Sequence, residues 1–189
     1  MTAARSLNDI MAEIGTQSRP PVHRWNPPFC GDIDMRIARD GRWFYMGSPI
    51  GRQRMVKLFA SVLRKDSDGG TYLVTPVEKL GITVDDAPFT IVRLDRHETA
   101  DGPVITATTN LDEQVVLDDE HPLWVHHDDQ GQPRPYVRVR DRLDGLLVRS
   151  AFYDLVAMAE PERHADGDHL MVDSAGARFD LGCVEAVEA

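Results

Sequence analysis

The amino-acid sequence predicts an α+β protein built by tandem duplication of one strand–helix–strand unit, with antiparallel sheets. Three observations point there. Short runs with apolar residues at every second position recur along the 189 residues, punctuated by turn signals such as Asp40-Gly41, Asp101-Gly102 and Ala175-Gly176. Two amphipathic helices stand inside that strand pattern. The helices, and the strands that follow them, align with each other at one constant spacing.

Taken in order, Leu7, Ile10, Met11 and Ile14 fall on one face of a short N-terminal helix that Gly15 ends. Pro20, Pro21, Pro27 and Pro28 hold the next stretch extended, with Trp25 as its anchor. Ile33, Met35 and Ile37 alternate as on a half-buried strand, and Asp40-Gly41 turns the chain into a returning strand from Trp43 to Met46. Ser48-Pro49 reads as an N-cap and first helical residue. Met55, Leu58, Phe59, Val62 and Leu63 form the apolar stripe of that helix, which the cluster Asp66-Ser67-Asp68-Gly69-Gly70 stops. Tyr72 to Thr75 is a strand, and Ile82 and Val84 mark another.

From Phe89 onward the pattern is a meander. Residues 89–94, 104–109 and 115–117 are its strands, followed by a hairpin of Leu123 to His126 with Tyr136 to Val139. Leu146 to Ala159 is the second helix, ended before Pro161. His169 to Val172 and Phe179 to Leu181 are the last strands. A meander of this size tends to curl.

Arg52 and Arg149 lie 97 residues apart, and that spacing also brings Met55 onto Phe152, Leu58 onto Leu155 and Phe59 onto Val156. It continues through Gly70 and Gly167, Leu73 and Leu170, and Ile82 and Phe179. Any two amphipathic helices share a stripe, but a shared stripe does not explain the matched arginines or the strands falling into register. The expected organisation is an N-terminal helix and proline-rich arm over 1–28, repeat one over 29–86, and a larger repeat two over 87–189.

The charge balance bears on partners. The net charge of −10 argues against a general nucleic-acid binder, whose affinity rests on basic surface. Residues 35–65 nevertheless carry eight basic side chains against Asp40 alone, an island able to attract a compact anion. No apolar run approaches the ~20 residues that span a bilayer. The first residues, with Arg5, Asp9 and Glu13, form neither a signal peptide nor an anchor, so the expected location is the cytoplasm, with no membrane partner. Cys30 and Cys183 are read as reduced thiols.

Candidate chemistry concentrates in two places. Arg52, just inside the first helix, joins a planar guanidinium to a helix N-terminus, a pairing suited to phosphate or carboxylate; it reads equally as a solvated helix face. Thr75-Pro76-Val77-Glu78-Lys79 brings a hydroxyl, a carboxylate and one of three lysines to a loop where repeat two has the ordinary turn Val172 to Gly176. It reads equally as a turn with a local Glu–Lys pair. Of the histidines, His126 and His127 are adjacent and point to opposite faces of a strand. His164 and His169 complete no recognised ligand spacing, so no metal or cofactor is expected. Nucleophile elbows, Cys-x-x-Cys pairs and phosphate-binding glycine loops are all missing, and a non-enzymatic role with no catalytic residue is expected.

Trp25-Asn26-Pro27-Pro28, Gly31-Asp32-Ile33-Asp34-Met35, Asp40-Gly41-Arg42-Trp43-Phe44, Pro49-Ile50-Gly51-Arg52, Leu58-Phe59-Ala60 and Leu73 to Lys79 occur in that order. They are followed by Ala87-Pro88-Phe89, Thr109-Asn110, Pro135-Tyr136-Val137 and Leu181-Gly182. In these motifs the sequence resembles the proteobacterial domain-of-unknown-function family 1285 over nearly all of the chain after residue 23. The resemblance implies a duplicated α+β core whose C-terminal half is pleckstrin-homology-like. It also implies a site for a small, nucleotide-like molecule where the two repeats meet, and a part in signalling; it confers no catalytic residues.

The resulting expectation is a ligand-binding or regulatory protein with an anionic small-molecule site between the repeats. Its lining residues are Trp43, Arg52, Thr75, Glu78, Lys79, Asn110, Tyr136 and Arg149. The competing expectations are a protein–protein adaptor using the pleckstrin-like half, and a hydrolase of a phosphorylated metabolite with Glu78 as base.

Overall fold

Strands dominate the chain, and the chain divides between Asp86 and Ala87 into two compact units. A computed structural model describes residues 20–184. The N-terminal helix expected over Leu7 to Ile14 lies outside the described residues.

The first unit is a six-stranded sheet with one helix. Its strands are β1 (Phe29–Ile37), β2 (Trp43–Tyr45), β3 (Ser48–Pro49), β4 (Leu63–Lys65), β5 (Thr71–Val74) and β6 (Lys79–Val84), and α1 (Gln53–Ser61) links β3 to β4. The spatial order is β3-β2-β1-β6-β5-β4. All neighbours are antiparallel except β1 and β6, which run parallel. The alternation read on β1 holds, with Met35 and Ile37 buried. Its core adds Trp43, stacked on Phe59 of α1 with ring centroids 6.3 Å apart. The proline-rich arm is pinned by buried Val22 and by Arg64, which donates to the carbonyls of Val22 and Trp25.

Two readings of this unit need correcting. Ser48-Pro49 forms strand β3, not a helix start, because Met46 (φ 48°) and Gly47 (φ 73°) make a tight turn that folds it back onto Phe44 and Tyr45. The helix begins at Gln53, with Arg52 in the cap position. Its buried face is Val56, Phe59 and Ala60; Val62 and Leu63 are buried but lie beyond it, at the helix end and in β4. A run of closely spaced apolar residues is ambiguous between periods of 3.6 and 2, and β4 pairing with β5 decides it. The cluster Asp66 to Gly70 is therefore the β4–β5 turn, with Gly69 at φ 84°.

The second unit holds β7 (Phe89–Thr99), β8 (Gly102–Thr109), β9 (Gln114–Val116), β10 (Leu123–His127), β11 (Pro133–Arg140) and β12 (Leu143–Leu147). After them come α2 (Arg149–Met158), β13 (Glu160–His164), β14 (Gly167–Ser174) and β15 (Ala177–Val184). The first six strands form one sheet, ordered β10-β11-β12-β7-β8-β9, in which β12 and β7 run parallel. The last three form an antiparallel sheet in which β15 contacts β10 and β14 contacts β8.

Here β12 and β13 were not foreseen. Leu146 and Leu147 belong to β12, whose Leu143, Gly145 and Leu147 are buried in alternation, and α2 starts only at Arg149. Gly145 is required by its neighbours: a Cβ there would lie 2.8 Å from Ile91 Cδ1. Strand β13 is polar and mostly exposed, so it carries no alternating signal.

Each unit thus contains a three-strand meander, a helix and a second three-strand meander. In the first unit these are β1–β3, α1 and β4–β6; in the second they are β10–β12, α2 and β13–β15.

Candidate functional site

The site begins with two prolines. Pro133 and Pro135 of β11 pair with His127 and Val125 of β10, but pairing of β11 with β12 starts only at Tyr136 opposite Leu146. Proline has no N–H to give a second neighbour, so this end of β11 leaves its β12 side open. At that point β12 departs: Val148 N–H donates to Ile91 O at 3.0 Å, and the chain turns into α2 at Arg149. A cleft of about 340 Å3 occupies the gap.

Its walls are Pro133, Pro135, Leu146, Leu147 and Phe152, and its polar groups are Asp128, Gln132, Arg134, Arg149 and Tyr153. Arg149 is exposed, and its Nε donates to Tyr153 Oη at 2.9 Å while its guanidinium lies 5.6 Å from the Tyr153 ring centroid. The helix start has no side-chain cap, so its first N–H groups face outward with the positive end of the helix dipole. Asp128 is engaged in the turn below, accepting from the N–H groups of Gln130 and Gln132. The cleft therefore joins two guanidinium groups and a helix N-terminus to a wall of aromatic, leucine and proline side chains.

The expected site residues fall as follows. Arg149 lines this cleft. Tyr136, on the same strand as Pro133 and Pro135, stacks on Trp124 at 5.8 Å. Asn110 accepts from Thr90 N–H, bracing the start of β7. In the first unit, Trp43 and Thr75 are buried, Glu78 is 4% exposed, and Arg52 is exposed at the head of α1. Thr75 and Glu78 do meet, through Glu78 N–H to Thr75 Oγ1 at 3.2 Å and Thr75 N–H to Glu78 O at 2.9 Å. Lys79 Nζ reaches Asp66 at 3.1 Å and lies 4.3 Å from the Tyr72 ring centroid. Asp66 also takes Arg64, and these two cations, Arg64 first, hold its carboxyl below the usual range against the opposing effect of burial. Much of the basic island is likewise engaged, with Arg36 on Asp85, Arg39 on Asp86 and Arg42 on Asp40.

Arg134, Phe152 and Tyr153 were missed as site residues. The signal available was the pair Pro133 and Pro135 inside an otherwise strand-like run, which marks a place where a sheet stops pairing.

Among the described residues no helix is long and apolar enough to cross a membrane. The family model described as the N-terminal domain of a domain of unknown function (DUF1285) matches residues 20–87. The model for the C-terminal domain of the same family matches residues 88–181. The chain is similar to a DUF1285 family protein from Silicibacter pomeroyi DSS-3 known from a crystal structure. The identity is 44% and the TM-score 0.89, over 99% of this chain and 100% of that one. It is also similar to a DUF1285 family protein from Shewanella baltica OS155, at 28% identity and a TM-score of 0.51, over 65% of this chain and 90% of that one. No curated protein matches. With both domain models matched in order along the chain, this protein belongs to the DUF1285 family.

Proposed function

We propose that this protein is a non-enzymatic, cytoplasmic binding protein for a small anionic, nucleotide-like molecule, with a regulatory or signalling role. The observation that carries the reading is the cleft at the head of α2, where Arg149 and Arg134 stand beside an uncapped helix start. Guanidinium groups and free helical N–H groups suit a phosphate or carboxylate. Phe152, Tyr153 and the two prolines suit a planar ring. The volume lies within the range of small-molecule pockets, roughly 300–1,000 Å3.

The two units are read as products of one duplication. Supporting that reading are the common order of meander, helix and meander, and the 97-residue spacing that carries α1 onto α2 and β4, β5 and β6 onto β13, β14 and β15. On this reading β7–β9 are an addition to the second copy. The pleckstrin-like description of that copy rests on its six-stranded sheet followed directly by α2. An adaptor role is the second reading, favoured by the edge strand β9, whose open backbone groups can accept an added strand.

A thermal-shift screen of the full-length protein against nucleotides and other anionic metabolites tests the proposal. At least one anion should raise the Tm of the wild type and of Arg52→Ala but not of Arg149→Ala. A screen without any such rise, or an equal rise in Arg149→Ala, overturns it.

A further inference from the structure

We infer that the sheet β13–β15 carries a proton-operated clip centred on His169. The Ala165-Asp166 turn pairs Glu162 with His169, and β15 places Cys183 opposite His169 on the other side. His169 Nδ1 lies 2.8 Å from Asp180 Oδ2 on β15, and its Nε2 lies 3.2 Å from Asp166 Oδ1 in the turn. The His164 ring packs over it with centroids 4.6 Å apart, and His164 Nε2 is 3.3 Å from Glu162 Oε1. One imidazole therefore faces carboxylates at both nitrogens, one from β15 and one from the β13–β14 turn.

A neutral imidazole has one N–H and satisfies one carboxylate; only the imidazolium donates from both nitrogens. The full set of contacts thus exists only in the protonated state. The Asp166 contact at Nε2 is the longer and weaker of the two. The arginines of the sheet are engaged elsewhere, and His127 of β10 lies beside Gly182 of β15. Arg178 pairs with Glu162 and Asp173, and Arg163 pairs with Asp168. Among the elements packed against this sheet, β10 carries exposed His126 and His127, α2 carries exposed Arg149 and Asp154, and β8 has no ionisable side chain. None of these forms an ion pair with His169. No three His, Cys, Asp or Glu side chains among the described residues are arranged to hold a metal ion, and the cation this geometry suits is the proton.

The His169 imidazole is held above its ordinary value of 6.5; the Asp180 bond is the main cause, burial opposes it, and the charges of Asp180 and Asp166 add to it. A group raised on folding contributes stability that is complete below its unfolded value and fades as pH rises through the folded one. The turn that ends β13, a strand with no residue fully buried, is therefore tied to β14 and β15 below pH 6.5 and loosens as pH rises through the raised folded value.

Imidazole NMR titration of the full-length protein, with amide hydrogen exchange over residues 160–171, tests the clip. His169 should titrate above 6.5 and fall in Asp180→Asn. Opening of β13, corrected for intrinsic exchange, should rise about tenfold for each unit by which the folded value exceeds the unfolded one. His169→Gln should abolish that step. If it does not fold, Asp166→Asn, at an exposed turn position, should lower the His169 value instead. A His169 that titrates at or below 6.5, or an exchange step identical in wild type and variant, overturns the inference.

Discussion

The heads of the two helices begin alike and end differently. Each follows an extended segment, each presents an arginine, Arg52 or Arg149, and neither has a side-chain cap. At α1 the preceding strand is only Ser48–Pro49, and Gly51, Arg52, Gln53 and Arg54 are all exposed. At α2 the preceding strand β12 supplies Leu146 and Leu147, and β11 supplies Pro133 to Pro135, so the same kind of arginine sits in a walled cleft. The comparison teaches that an arginine at a helix start becomes a candidate site when neighbouring strands enclose it, and stays a surface charge when they do not.

The sharpest way to separate the two helices is through their aromatic residues. Phe59 of α1 is fully buried against Trp43, so Phe59→Ala should cost about 3–5 kcal/mol in urea unfolding. Phe152 of α2 is only half-buried in the cleft wall, and Phe152→Ala should cost roughly 1 kcal/mol while weakening anion binding. Equal costs would mean that the cleft wall is core rather than site.

The parallel strand pairs offer a second contrast, because each carries a glycine. Gly145 of β12 pairs with Phe89, and an added methyl meets Ile91 Cδ1 at 2.8 Å and Val139 Cγ2 at 3.2 Å. Gly145→Ala should therefore destabilise by about 1–3 kcal/mol. Gly81 of β6 pairs with Asp32, and its methyl meets Asp32 Oδ1, the movable end of an exposed side chain. Gly81→Ala should cost less than about 1 kcal/mol in the same measurement.

A smaller effect distinguishes the units by pH. In the first unit Asp66 is depressed by Arg64 and Lys79, so its contribution is present above the ordinary carboxylate value of 3.8 and is lost as pH falls below it. Asp66→Asn should flatten the acid limb of the stability profile without touching the alkaline side. In the second unit His169→Gln should do the reverse. Arginine truncation should matter least to stability, with Arg52→Ala and Arg149→Ala each within about 0.5 kcal/mol of wild type.

The sequence made much of the strand pattern legible because Met35 and Ile37, Ile105 and Ala107, and Val137 and Val139 alternate into cores on a period of two. It concealed β3, where the turn is made by Met46 at positive φ, a conformation its residue type does not signal. It concealed β13, because a polar strand on an exposed sheet face has no apolar rhythm to read. Of the expected site residues only Arg149 lines the cleft, and it was found through its match to Arg52. Its companions Arg134 and Tyr153 come together only when β12 leaves β11, an event set by pairing across strands distant in sequence. The apposition of His164 and His169 was within reach, since Asp166-Gly167 is itself a hairpin turn signal.

The most direct test is an amide NMR titration of the full-length protein with adenosine 5′-monophosphate, with adenosine as the uncharged control. Saturable shifts confined to residues 128–135 and 146–153, absent with adenosine and absent in Arg149→Ala, are the predicted result. Shifts centred on Arg52, or no saturable shift in those segments with this or any other anionic metabolite, would contradict a binding cleft at the head of α2.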